Sequence, residues 1–135
     1  MNTKKLTLWV DGAARGNPGP AAIGATIKDE QGRLMASLSQ CIGTTTNNQA
    51  EYRAVIATLE KAINLGAKEV TLNSDSELVV KQINGQYRVK KATLKPLYQK
   101  AKQLLASLEA YTVTHVPREQ NTEADKLANK ALDSI

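Results

Sequence analysis

The apolar positions change period along the chain, and the changes predict its elements. In KLTLWVDG, Leu6, Leu8 and Val10 alternate with Thr7, Trp9 and Asp11, the period of two expected of a half-buried strand. ARGNPGP reads as a turn cluster, AAIGATIKD as a second strand, EQG as a turn and RLMASLSQCIG as a third strand. Three strands joined so closely predict an antiparallel meander. The period then becomes helical. Tyr52, Ile56, Leu59 and Ile63 recur on one side, Thr46 and Gln49 have capping-box spacing, and Gly66 marks the stop. KEVTLNSD is a fourth strand, and SELVVKQING is a short helix ending at Asn84-Gly85. QYRVKKAT is a basic connector. LKPLYQKAKQLLASL is a helix that tolerates Pro96 in its first turn. EAYTVTHV is a fifth strand and PREQN a loop. TEADKLANKAL is a last helix with Ala124, Leu127, Ala128, Ala131 and Leu132 on one stripe. The predicted order is βββαβααβα, with no linker or repeat dividing the chain.

One line of this pattern is odd. Helical spacing carries Glu51 onto the row of Val55, Thr58 and Ala62, an acid at the start of a packing face. Three more acids fall at predicted element ends. Asp11 ends the first strand, Asp75 ends the fourth, and Asp125 lies in the first turn of the last helix. A right-handed crossover makes strands one and four parallel neighbours, and ligands of open α/β sheets sit beyond the carboxyl ends of such strands. Taken singly, each acid has a plain explanation. Asp75 could cap SELVV, and Asp125 completes a capping-box pattern that starts at Thr122. Asp11-Gly12 could be a turn pair, and Glu51 could be solvated. Together they would repel one another, so the cluster calls for a positive occupant. Hard divalent cations held by oxygen ligands fit, Mg²⁺ best and Mn²⁺ also.

Composition narrows the class. The 135 residues suit one domain, 1–135, and 41% hydrophobic content is ordinary for a globular protein. No apolar run nears the roughly 18 residues that span a bilayer. The N-terminal MNTKKLTLWVDG lacks the pattern of a signal peptide. Cys41, the single cysteine, excludes an internal disulfide and reads as a strand residue. A cytoplasmic protein with no membrane association is expected. The 18 Lys/Arg against 13 Asp/Glu give +5. Between Glu77 and Glu109 there is no acid, while Lys81, Arg88, Lys90, Lys91, Lys95, Lys100 and Lys102 fall there. Such a stretch is either a polyanion footprint or a solvated face. Trp9 reads as core or sheet-face packing.

Several motifs now stand in a telling order. They are Asp11-Gly12-Ala13, Gly16-Asn17-Pro18-Gly19, Thr46-Asn47-Asn48-Gln49-Ala50-Glu51, Ser74-Asp75-Ser76 and Asn121-Thr122-Glu123-Ala124-Asp125. Over essentially its whole length the chain resembles type 1 ribonuclease H, in the compact prokaryotic form without a separate basic handle. The resemblance implies an α/β, ribonuclease H-like three-layer fold. Its mixed five-stranded sheet has three antiparallel plus two parallel strands and is flanked by helices. It implies hydrolysis of the RNA strand of RNA/DNA hybrids with two divalent cations about 4 Å apart, leaving 5′-phosphate and 3′-hydroxyl ends. Asp11 would bridge both ions. Asp125 would help hold the one that activates water, and Glu51 and Asp75 the one facing the leaving oxygen.

The same resemblance assigns the substrate contacts. Asn47, Asn48 and Gln49 would meet sugars and base edges in the wide minor groove of the hybrid. Backbone groups near Gly12 and Ala13, and the Glu77 side chain, would meet 2′-hydroxyls. Thr46 would hold a DNA-strand phosphate while also capping its helix. Tyr87, Arg88, Lys90 and Lys91 would touch the DNA backbone, or else form a solvated loop with Tyr87 packed as a lid. His115, the single histidine, is one candidate for an auxiliary role in proton transfer or product departure, Arg118 is another, and a strand-end His with a backbone partner is the plain alternative. No hybrid-binding extension is evident, which predicts low processivity, and a monomer with no obligatory protein partner is the default. A non-catalytic binding module and another nuclease on the same fold, such as a resolvase, are the competing readings. The complete set of four acids argues against the first, and the Thr-Asn-Asn-Gln run against the second. A general α/β domain with acids at its caps by chance is a weaker fourth.

Overall fold

A computed structural model describes residues 4–135. Met1–Thr3, the start of the stretch read for a signal peptide, lie outside the described residues. The order is β1 (Lys4–Ala14), β2 (Gly19–Lys28), β3 (Leu34–Thr45), α1 (Asn47–Asn64), β4 (Ala67–Ser74), α2 (Glu77–Ile83), α3 (Lys95–Ala106), β5 (Ala110–His115), a 3₁₀ turn (Arg118–Gln120) and α4 (Thr122–Asp133). The strands form one sheet in the order β3-β2-β1-β4-β5. β1 pairs antiparallel with β2, and β2 with β3. β4 runs parallel to both β1 and β5. The mixed sheet of three antiparallel and two parallel strands is therefore as expected.

Alternation within the strands sorts the layers. Leu6, Leu8 and Val10 of β1, Ile23, Ala25 and Ile27 of β2, and Val70 and Leu72 of β4 join a core with Tyr52, Val55 and Leu59 of α1 and Leu105 of α3. Each large side chain buried there contributes about 1.5–3 kcal/mol. The other face of the meander carries α4, whose Ala131 and Leu132 pack with Ala22. Two glycines let the helices approach. A Cβ on Gly24 would lie 2.2 Å from the Ala124 carbonyl oxygen of α4, and one on Gly12 would lie 2.2 Å from that of Ala50 in α1. Neither contact leaves room for a side chain, so the sheet is pinched between α1 and α4 where Asp11 lies.

Several sequence expectations are corrected in detail. Asp11 does not end its strand. β1 continues to Ala14 because Asp11, Gly12, Ala13 and Ala14 pair with Gly24, Ile23, Ala22 and Ala21. Its parallel ladder with β4, however, stops at Val10–Ser74. Asp11 is thus the first residue of β1 beyond that ladder, and Asp75 is the first residue past β4. The ARGNPGP turn is shortened accordingly, closed by Arg15 N–H donating to the Pro20 carbonyl at 2.8 Å. Asp75 is not the cap of α2. Ser76 is, its hydroxyl accepting from Val79 N–H at 3.3 Å. Thr122 does not open a capping box either, since α4 starts there with Asn121 at the N-cap position and no side-chain cap bond. The PREQN loop contains the 3₁₀ turn.

Candidate active site

Four elements bring the four predicted acids to one end of the sheet. β1 and β4 supply Asp11 and Asp75 from neighbouring strands. The capping box at Thr46 is present in both halves and starts α1 where Glu51 falls in its second turn, on the row of fully buried Val55, Thr58 and Ala62. α4 supplies Asp125, whose N–H donates to the Asn121 carbonyl at 3.1 Å. Asn121 anchors this start: 1% exposed, it donates from Nδ2 to the Val10 carbonyl at 2.8 Å, one residue before Asp11.

The electrostatics report how close the acids stand. Burial, with Asp75, Asp125 and Glu51 around it, pushes the Asp11 carboxyl up to about 8. Burial, then repulsion from Asp75, pushes Glu51 up to about 7, against a hydrogen bond from Ser76. Asp75 is also raised, by burial first, although Arg118 pulls it back. Arg118 lies 3.7 Å from Asp125 and brings a positive charge to the edge of the cluster. Carboxyls of about 7 and 8 at a half-open site mark a place that lacks positive charge at neutral pH.

The donor set tests what could supply that charge. Among the described residues, no three His, Cys, Asp or Glu side chains converge into a finished ligand cage. Asp11 nevertheless feels the other three acids, and that repulsion is the better guide to what the site lacks. The donors at hand are carboxylate oxygens, plus a buried and unpartnered Asn121 Oδ1. Cys41 is remote, donating from Sγ to the Ala131 carbonyl on β3's approach to α4. An all-oxygen set of this kind fits Mg²⁺ or Mn²⁺ and not a thiolate metal.

The remaining predicted residues divide. Gly12 is buried against α1, and Ala13 packs beside Ala22. Asn47 is partly committed to structure: its Oδ1 accepts from Ala14 N–H at 3.2 Å, and its N–H donates to Asn17 Oδ1 at 3.0 Å. Gln49 Oε1 accepts from Thr46 N–H at 3.2 Å, leaving its amide nitrogen for other partners. Asn48 lines a cavity of about 530 Å³ together with Tyr87, Arg88, Lys90 and Lys91. That joins two groups the sequence could only name separately. Tyr87 is 44% exposed, so it is not a lid on the core, and Lys81 lies 5.0 Å from its ring centre. Glu77 is exposed and pairs with Lys81 at 3.2 Å. His115 is exposed at the end of β5, beside Ser74 in the ladder. Trp9 is half-buried on the α4 face, near Lys28 and Glu123. Asn17 and Asn121 hold the starts of α1 and α4 in place beside the acids. Both stood inside quoted motifs, but only the fold reveals what they hold. No described helix is long and apolar enough to cross a membrane.

Known proteins resemble this chain in sequence and fold. A family described as reverse transcriptase-like matches residues 9–131. Ribonuclease HI of Halobacterium salinarum is 45% identical over 129 residues, which are 96% of this chain and 65% of that protein. Ribonuclease H of Hydrogenovibrio crunogenus is 33% identical, with 98% of each chain covered. The chain spans only 36% of the mycobacterial relatives that it also matches. The crystal structure of the Halobacterium RNase H1 superimposes with a TM-score of 0.95 at 43% identity, covering 97% of this chain and 99% of that one. LC11-RNase H1, isolated from compost, was solved in complex with an RNA/DNA hybrid. It superimposes with a TM-score of 0.90 at 42% identity, covering 96% and 97%. With its mixed sheet, its four acids and these relatives, the chain belongs to the ribonuclease H family.

Proposed function

We propose that residues 1–135 act as a single ribonuclease H domain that hydrolyses the RNA strand of RNA/DNA hybrids, leaving 5′-phosphate and 3′-hydroxyl ends. The observation that carries this reading is the half-buried cluster of repelling acids around Asp11. It is supported by a relative at 42% identity whose structure contains an RNA/DNA hybrid. Two divalent cations, Mg²⁺ or Mn²⁺, would neutralise the phosphate and make the attacking water acidic enough to ionise near neutral pH.

The chain's own residues do the rest. Asp11 feels all three other acids, which suits a carboxylate shared between both ions. Asp125 would hold one ion, and Glu51 with Asp75 the other. Arg118, beside Asp125 and close enough to lower Asp75, is a fixed cation for the scissile phosphate. His115, exposed next to Ser74, is open to solvent for exchanging a proton with the leaving 3′-oxygen. Asn47, Asn48 and Gln49 present amides at the start of α1, where a minor groove carrying 2′-hydroxyls would lie. Gly12, Ala13 and Glu77 would read the RNA strand beside them. Thr46 would bind a DNA-strand phosphate, and Tyr87, Arg88, Lys90 and Lys91 would follow the DNA backbone. We assign the protein a cytoplasmic, monomeric role without an obligatory protein partner.

The test uses a hybrid labelled on each strand in turn. Cutting of the RNA strand only, lost on adding chelator, is the expected result. Cutting of a four-way DNA junction in preference to the hybrid would replace this reading with a resolvase.

A further inference from the structure

The last turn of α2 places one side chain between Glu77 and Tyr87. Lys81 lies one turn after Glu77, and its Nζ stands 3.2 Å from Glu77 Oε2. The same ammonium lies 3.4 Å from the Tyr87 hydroxyl and 5.0 Å from the centre of the Tyr87 ring. The backbone of Lys81 holds Tyr87 as well. Gly85, at a φ of 80°, turns the chain back at the end of α2, its N–H donating to the Gln82 carbonyl at 3.1 Å. The Lys81 carbonyl then accepts from Gln86 N–H at 2.8 Å and from Tyr87 N–H at 3.1 Å, the closure of a Schellman turn. Carbonyl and ammonium of one residue therefore fix where Tyr87 stands at the start of the connector.

Stability does not explain this arrangement. The side chains of Lys81 and Glu77 are 32% and 57% exposed, and an ion pair so open to water contributes little to folding. The place of the two partners explains more. Glu77 comes two residues after Asp75, and a bare carboxylate set against the RNA strand would repel its phosphates. Lys81 offsets that charge without removing the oxygens that can accept from a 2′-hydroxyl. Tyr87 lines the cavity beside Asn48, on the side assigned to the DNA strand. Its ring is 44% exposed, and the ammonium over it restricts where the ring can turn.

We propose that Lys81 is a positioning residue that holds Glu77 for the RNA strand and Tyr87 for the DNA strand at once, so that α2 ties the grip on one strand to the grip on the other. This rests on the hybrid-cleaving reading. Lys81 itself touches neither strand. Its role differs from that of Arg88, Lys90 and Lys91, whose charges meet the backbone directly.

The experiment uses the full chain and one RNA/DNA hybrid, with binding measured in chelator across salt, and kcat and KM with Mg²⁺. Lys81→Met should weaken binding about fivefold and raise KM by a similar factor, with kcat at saturation within about twofold, because the acids are untouched. The slope of log affinity against log salt should stay as in the wild type, whereas loss of a lysine on a phosphate would lower it by about 1. Lys81→Arg, which keeps the charge, the ion pair and the contact with the ring, should restore wild-type binding. Two cycles then read the coupling. Glu77→Gln should weaken binding in the wild type, but in Lys81→Met it should strengthen binding about threefold by removing an unpaired charge. Tyr87→Leu should cost about fivefold in the wild type and less than about twofold in Lys81→Met, where the ring is already loose. Thermal unfolding verifies that each variant is folded, and if Lys81→Met is not, Lys81→Gln decides by the same cycles. Effects that simply add in both cycles, or a salt slope lowered by about 1, would overturn the coupling while hybrid cleavage stands. The predicted non-additivity without RNA cutting in Mg²⁺ would overturn the nuclease reading and keep the coupling.

Discussion

The acid end of the sheet and the basic connector after α2 are built in opposite ways. The acids sit on well-held backbone: Asp11 paired with Gly24 just past the end of the β1–β4 ladder, Glu51 on a capped helix, Asp125 on a helix pressed against Gly24. Their charges repel, and burial raises two of them to about 7 and 8. The connector carries Arg88, Lys90 and Lys91 on exposed, irregular chain between two open cavities. Its cations cost the fold nothing, and the acids are held at its expense. The difference is one of task. Chemistry needs ligands fixed before the substrate arrives, whereas holding a polyanion needs only mobile positive charge nearby.

The largest effect that would break this contrast is at Asp11. Asp11→Asn should lower the rate of hybrid cleavage by about 10³ or more, the scale of a lost charge-stabilising group. The same change should make the chelated protein more stable at pH 8, by about 1–3 kcal/mol after allowing for the open side of the cluster. Urea unfolding in chelator measures the second effect, and a loss of stability would count against the repelling cluster. Gly24→Ala comes next. Its Cβ would meet the Ala124 carbonyl at 2.2 Å, so α4 must move, and about 3 kcal/mol of stability should go with it.

The pH dependence of the chelated protein follows from the same two acids. The folded values of about 8 for Asp11 and about 7 for Glu51 lie above the unfolded 3.8 and 4.5. The folded state therefore binds more protons. Stability from these groups is complete below about pH 4 and declines as pH rises to about 8. Excess Mg²⁺ should remove most of that decline and add about 2.7 kcal/mol at a hundred times its Kd. Melting curves across pH, with and without the ion, measure this, and a flat profile in chelator would contradict carboxyls raised by burial and by one another.

On the connector, replacing Arg88, Lys90 and Lys91 together by alanine should leave the melting temperature unchanged. It should lower the slope of log affinity against log salt by about 2–3 for a hybrid. An unchanged slope would return the connector to a solvated loop. Smallest of all is Thr46→Ala, which should cost about 1 kcal/mol through the lost cap at α1, seen by urea unfolding.

Much of this was legible in the chain, and the failures are instructive. Thr46 and Gln49 announced their capping box because both halves lie within four residues. Asp75 was misread as a possible cap because Ser76, one position on, is the better one. Asp11 read as a strand end because Asp-Gly suggests a turn. Only the partner strand, with Ala21 to Gly24 opposite, explains why β1 goes on. Asn121 binds the Val10 carbonyl and Gln82 the Tyr52 hydroxyl. What they hold is 111 residues away in one case and 30 in the other, and no local pattern spans such distances.

The most direct measurement takes one labelled RNA/DNA hybrid with wild type and Asp11→Asn, in Mg²⁺ and in chelator. RNA-strand cutting by the wild type in Mg²⁺ alone, with Asp11→Asn still binding but not cutting, is the predicted result. Binding without cutting by the wild type in Mg²⁺ and in Mn²⁺ would contradict it, and would leave a hybrid-binding module on this fold.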